Sequence, residues 1–113
     1  MTATSLRHAA DAFIAVTNAG DVDGVLSLFA QDAVIDDPTT GQCFDSHAGI
    51  RSYIEQFFIG YHTVTRFLSI EATAANQARV RVDFTGDFGH EVGVLDLTLQ
   101  VGGKIVRIDA ALE

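Results

Sequence analysis

Two carboxylates stand side by side in Asp36-Asp37-Pro38, directly before the chain's one proline. Alternate residues of an extended chain share a face, so Ile35 and Asp37 point one way and Asp36 the other. If Ile35 faces a core, Asp37 faces it too, and a carboxylate held against apolar walls suits proton transfer as a general base. The competing reading makes Asp37 a turn cap before Pro38 and leaves Asp36 solvated. A further acid, Asp96, lies in Leu95-Asp96-Leu97-Thr98-Leu99. There Leu95, Leu97, Leu99 and Val101 share one face, and Asp96, Thr98 and Gln100 the other. If the leucines line an interior, Asp96 points outward; if they form a dimer face, Asp96 points inward and must be protonated or hydrogen-bonded.

The remaining chemistry-bearing residues are few. Tyr53 and Tyr61 are the only phenols, and His8, His47, His62 and His90 the only imidazoles. No two histidines have the spacing of a metal-binding pair, so no metal is expected. Cys43 has no evident activating neighbour, so a nucleophilic thiol is not expected. No glycine-rich phosphate loop precedes a helix, which argues against a nucleotide site.

The elements that must position these residues follow from periodicity. Leu6, Ala9, Ala10, Phe13, Val16 and Thr17 recur at helical spacing and predict a helix over 5–18. Gly20 suits its left-handed end and Asp21 the cap of the next helix, whose apolar face is Val22, Val25, Leu26 and Phe29. A short strand is predicted over 33–37 and a loop over 39–45. Ser46 then caps a helix carrying Ile50, Tyr53, Ile54, Phe57 and Phe58, which Gly60 closes. Strands follow over 64–74, 78–86, 90–101 and 104–112, with a turn at 75–77. Gly102-Gly103 marks a hairpin, because both glycines tolerate positive φ. Helices first and strands later indicate α+β rather than alternating α/β.

The 113 residues suit one domain. With 48% hydrophobic and 19% charged residues, the chain can build a core. The net charge of −8 comes with only seven scattered cations, so nucleic-acid binding is not expected. A single cysteine fits a reducing, cytoplasmic setting. The N-terminal stretch lacks the apolar run of a secretion signal, and no segment has the roughly 20 apolar residues of a membrane span.

The stretch from Asn18 to Pro38, Gly49-Ile50-Arg51-Ser52-Tyr53, and more weakly Gly102-Gly103-Lys104-Ile105-Val106, resemble bacterial ketosteroid isomerases. The wider likeness is to the SnoaL-like branch of the NTF2-like superfamily. It implies a cystatin-like cone: three N-terminal helices packed on a curved, mostly antiparallel sheet around an apolar pocket. Asp37 falls at the position of the proton-transferring Asp and Asp96 at that of a hydrogen-bonding acid. Phe13 stands where the family has an oxyanion-binding Tyr, and a phenyl ring cannot donate; one lost donor typically costs about 10²–10³ in turnover. The implied pocket is lined by Phe13, Phe29, Ile35, Tyr53, Phe57 and Phe84, with His62 near its mouth. His90 has the same option, since dehydrating relatives use a His/Asp pair. The expected ligand is a small hydrophobic ring or carbonyl compound, turned over without cofactor by isomerisation, cyclisation or dehydration. The alternative is a non-catalytic binding or dimerisation module of the same fold. A homodimer is implied as well, with the leucines of 95–101 as its apolar face.

Overall fold

The computed structural model describes residues 3–113; the first two residues, where the stretch read as lacking a secretion signal begins, lie outside it. Ala3–Asn18 forms helix α1. Its Leu6, Ala9, Ala10 and Phe13 are buried at the expected helical spacing. Gly20 follows at φ 68°. Asp21 then accepts a hydrogen bond from the Gly24 N–H at 2.9 Å and starts α2, Val22–Ser27.

The predicted second helix extended to Phe29, whereas the observed one stops at Ser27. The Leu28 carbonyl accepts from the Ile105 N–H at 2.8 Å, so the backbone there is already committed to a strand partner. Phe29 therefore opens strand β1, Phe29–Asp37, four residues before the predicted start. A 3₁₀ turn, Pro38–Thr40, leads to β2, Gln42–Asp45, where a loop was expected. β2 pairs antiparallel with β1, Val34 opposite Asp45 and Asp37 opposite Gln42. Helix α3, Ser46–Ile54, follows and runs on into a π turn, Glu55–Ile59. Ser46 does not cap it: it is the first helical residue, at φ 62°, and no side chain caps this end. Gly60 closes the π turn, as expected, and the left-handed residue comes two positions later, at His62.

The remaining strands are β3 (Val64–Ala74), β4 (Gln77–Gly86), β5 (Gly89–Leu99) and β6 (Ile105–Leu112). Gly102 and Gly103, at φ 100° and 95°, make the β5–β6 turn that the sequence requires there. The six strands form one sheet in the order β2-β1-β6-β5-β4-β3. Only the β1–β6 pair is parallel. No helix among the described residues is long and apolar enough to cross a membrane.

The two sheet faces divide the chemistry. Ile35, Val80, Val82, Leu95, Leu97, Leu99 and Ile108 point inward, against the helices, and are buried. The outer face carries ion pairs: Arg79 with Asp96 at 3.0 Å, Arg66 with Asp83 at 2.8 Å and Arg107 with Asp36 at 3.1 Å. The exposed Arg79–Asp96 pair contributes little stability, whereas Asp83 is buried and depends on its partner; together the pairs leave that face polar. The leucine ladder of β5 is therefore core and not a dimer face. Val101, read with it, is 97% exposed in the hairpin turn.

One contact ties the first helix to the far edge of the sheet. The Asn18 amide donates to the Thr65 carbonyl at 2.8 Å and accepts from the Thr65 N–H at 2.7 Å. It acts as a one-residue strand partner on β3, which is an edge strand. Asn18→Ala strips both partners from a part-buried peptide group. It is expected to lower unfolding free energy by about 1–3 kcal/mol, measured by urea denaturation, with Asn18→Asp falling between wild type and Ala.

Candidate functional site

Asp37 ends β1 with its side chain on the inner face, and it is 9% exposed. Its two carboxylate oxygens have different tasks. Oδ1 accepts from the Thr39 N–H at 3.1 Å and from the Thr39 hydroxyl at 2.6 Å, capping the turn that Pro38 begins. Oδ2 accepts from the Tyr53 hydroxyl at 2.7 Å, across 16 residues of sequence. The turn-cap and inward-facing readings of Asp37 thus belong to the same carboxylate.

Tyr53 reaches Asp37 from α3 and is buried. Burial, then the charge of Asp37, then their hydrogen bond push the Tyr53 phenol well above its ordinary range, so it keeps its proton under any physiological condition. Its ring packs against Phe44 (4.9 Å between centroids), Phe57 (5.3 Å) and Phe58 (5.9 Å). The π turn makes the last two contacts compatible. Its widened loop, closed by the Gly60 N–H on the Glu55 carbonyl at 2.8 Å, brings two consecutive phenylalanines to the side of the helix that Tyr53 occupies.

Above this dyad lies a cavity of about 220 Å³. Tyr53, Phe57, Phe58 and Phe84 are its aromatic walls and Asp37 its buried acid; Tyr61, Phe88 and Leu112, all exposed, form its mouth. Phe84 keeps its place because Gly93 faces it from β5. A Cβ on Gly93 would lie 2.7 Å from the Phe84 ring and 3.0 Å from the Ala111 carbonyl oxygen. At the mouth, the turn after α3 is fastened to the β4–β5 hairpin. The Asp87 N–H donates to the Tyr61 carbonyl at 2.8 Å, and His62 Nδ1 lies 2.9 Å from Asp87 Oδ2.

Among the residues singled out from sequence, Asp37, Tyr53, Phe57 and Phe84 converge on this cavity. The others do not. Phe13 is buried one layer below, edge-on to Phe29 and Phe58 at 6.1 Å. Phe29 opens β1, at the opposite end of the strand from Asp37. Ile35 shares Asp37's face but lies deeper, under α3. His62 stands outside the lining, turned to Asp87. His90 lies on the outer face with Nε2 2.7 Å from Asp83 Oδ1. Asp96 points away from the cavity, its side chain 40% exposed beside Arg79, because alternation in β5 gives the inner face to Leu95 and Leu97. Sequence reasoning missed Phe58, Thr39, Tyr61, Thr63, Phe88, Glu91 and Leu112. For Glu91 a signal existed: it has the parity of Leu95 and Leu97.

A larger cleft of about 410 Å³ lies between α1 and the Gly102-Gly103 turn. Among the described residues its lining includes one titratable side chain, His8, and no carboxylate, so it offers less for chemistry than the smaller cavity. Among the described residues no group of three or more His, Cys, Asp or Glu side chains is disposed to hold a metal.

Residues 10–108 match the family model of the SnoaL-like domain, and the chain belongs to that family. Its fold is shared with solved structures of low sequence identity. A candidate polyketide cyclase from Sinorhizobium meliloti superposes with a TM-score of 0.85 at 20% identity, covering 95% of this chain and 98% of that one. An NTF-2 like protein from Burkholderia xenovorans gives 0.83 at 17%, covering 100% and 86%. A Mycobacterium tuberculosis protein in complex with estradiol-17beta-hemisuccinate gives 0.83 at 15%, covering 96% and 94%. At these identities the likeness establishes the α+β, NTF2-like architecture.

The raised Tyr53 phenol makes a stability prediction. Unfolded, Tyr53 loses its proton near pH 10, while folded it holds it to higher pH. The stability tied to its protonated form is fully present below pH 10 and is lost as the pH climbs above that value. Thermal melts between pH 8 and 11 should therefore fall more steeply for wild type than for Tyr53→Phe, and parallel curves would show that the phenol is not held this way.

Proposed function

We propose, with membership of the SnoaL-like family as premise, that this chain binds a small apolar ring compound above Asp37 and moves a proton on it next to a carbonyl, giving isomerisation, cyclisation or dehydration. One observation carries the reading: the 2.7 Å hydrogen bond from Tyr53 to the Asp37 carboxylate, at the wall of a cavity lined mainly by aromatic rings. The carboxylate takes a proton from the carbon beside the carbonyl, and the electron pair moves onto the carbonyl oxygen. Once Asp37 is neutral, its pull on the Tyr53 O–H weakens, and the hydroxyl is free to turn toward the new enolate oxygen. That supplies a donor that Phe13 cannot. Return of the proton from Asp37 to a different carbon completes an isomerisation with no cofactor.

The family and the candidate polyketide cyclase support this reaction class, and the estradiol complex supports an apolar ring ligand. The cavity volume lies below the roughly 300–1,000 Å³ of drug-sized ligand sites, which favours one or two rings over a four-ring steroid. A second reading, binding without turnover, has its own observation: the Asp37 carboxylate already holds three donors and can serve as a fixed acceptor for a ligand hydroxyl.

Assays with β,γ-unsaturated ketones, from a single ring to a steroid, separate the two. In the catalytic reading wild type converts at least one, and Asp37→Asn lowers kcat by about 10²–10⁴ while changing KM little. Saturable binding with no conversion by wild type selects the second reading. The homodimer implied by the family likeness also belongs to this proposal, with a surface other than the leucine ladder. Light scattering at micromolar concentration should give twice the 12.1 kDa chain mass, and a monomer would remove the dimer from the reading.

A further inference from the structure

The inner face of β5 carries Gly93, Leu95, Leu97 and Leu99, all buried, and one charged residue at its open end, Glu91. Glu91 lies opposite Phe84 in the β4–β5 ladder and lines the cavity that holds Asp37. It makes no hydrogen bond or ion pair among the described residues. The acids around it differ: Asp83 pairs with Arg66, Asp96 with Arg79, Glu113 with Arg81 and Asp87 with His62. No Lys, Arg or His is among the cavity's lining residues. A ligand in this cavity therefore meets aromatic walls, two carboxylates and no cation.

An unpartnered carboxylate beside apolar surface attracts a donor group, most strongly a cationic one, and repels another carboxylate. Asp37 already accepts from three donors, so Glu91, which accepts from none of the described residues, is the acid with most bonding capacity to spare. We infer that Glu91 sets charge specificity at this site: the preferred ligand is a one- or two-ring apolar compound whose polar end is a protonated amine, and the same ring bearing a carboxylate is rejected. This rests on the reading of the cavity as the ligand site. Glu91 acts on binding and is not assigned a proton-transfer step.

Isothermal titration of the full chain at pH 7 with 1-naphthylmethylamine, 1-naphthalenemethanol and 1-naphthaleneacetate tests the inference. The amine should bind at least tenfold tighter than the carboxylate, with the alcohol between them. Glu91→Gln should weaken the amine by about tenfold, as for loss of one charged hydrogen bond, strengthen the carboxylate, and leave the alcohol within about threefold. Glu91 is exposed, so the substitution leaves packing intact. An unchanged amine-to-carboxylate ratio in Glu91→Gln overturns the inference while the pocket reading stands. So does a ratio that collapses in Asp37→Asn and not in Glu91→Gln. Failure of wild type to bind any of the three overturns both.

Discussion

A carboxylate buried on the inner face of a sheet has to be satisfied, and the fold around Asp37 is arranged to do so. Leaving such a charge without partners in an apolar interior costs far more than a single packing defect. Here the answer is local on one side and long-range on the other. Pro38 and Thr39 fold back to fill Oδ1, while α3 must approach closely enough for Tyr53 to reach Oδ2. Fixing Tyr53 fixes the helix phase, and the helix phase decides which phenylalanines face the cavity. The one polar wall and the aromatic ones are therefore not independent features.

The partition of charge between the sheet faces carries the rest. Alternation along β4 and β5 sends arginines and acids outward, where they pair with one another across strands, and keeps the inner face apolar. Against that background the two inward acids, Asp37 and Glu91, stand out physically. The first is held by three donors and the second by none. A site that mixes a firmly held carboxylate with a free one can act on a reacting group with the first and read the polar end of a ligand with the second.

Much of this was legible in the sequence, for identifiable reasons. Long elements with a clean period, α1 and β4 above all, lie where the spacing puts them. The opposite directions of Asp36 and Asp37 followed from Ile35 alone. The expectations that failed depended on partners. Phe29 continued a helical spacing, and only the pairing of Leu28 with Ile105 removed it from the helix. The four residues of β2 are too few to show alternation, and their status comes from β1. For Asp96 the period divided the strand into two faces without saying which was inner; the helices that cover Leu95 and Leu97 decide that. Phe13 is core, so the missing phenol at that position does not leave a gap in the cavity wall. Glu91 had the right parity, yet its place at a cavity mouth depended on where the hairpin between β4 and β5 turned.

The π turn after α3 has a consequence for the history of the chain. A π turn is one residue longer than the α-helix it interrupts. Deleting a single residue from Glu55–Ile59 would restore regular helix and rotate the remainder of that helix end by about 100°, one residue's share of a 3.6-residue turn. The strand pairing and the Asp37–Tyr53 hydrogen bond lie in other elements or precede that point, while the Phe58 contacts with Phe13, Tyr53 and Phe84 would be exchanged. Single-residue insertions and deletions here would exchange one set of aromatic walls for another on a constant scaffold. Divergence of ligand preference among such sequences would then be recorded in the length of one helix end, rather than in point substitutions spread through the core.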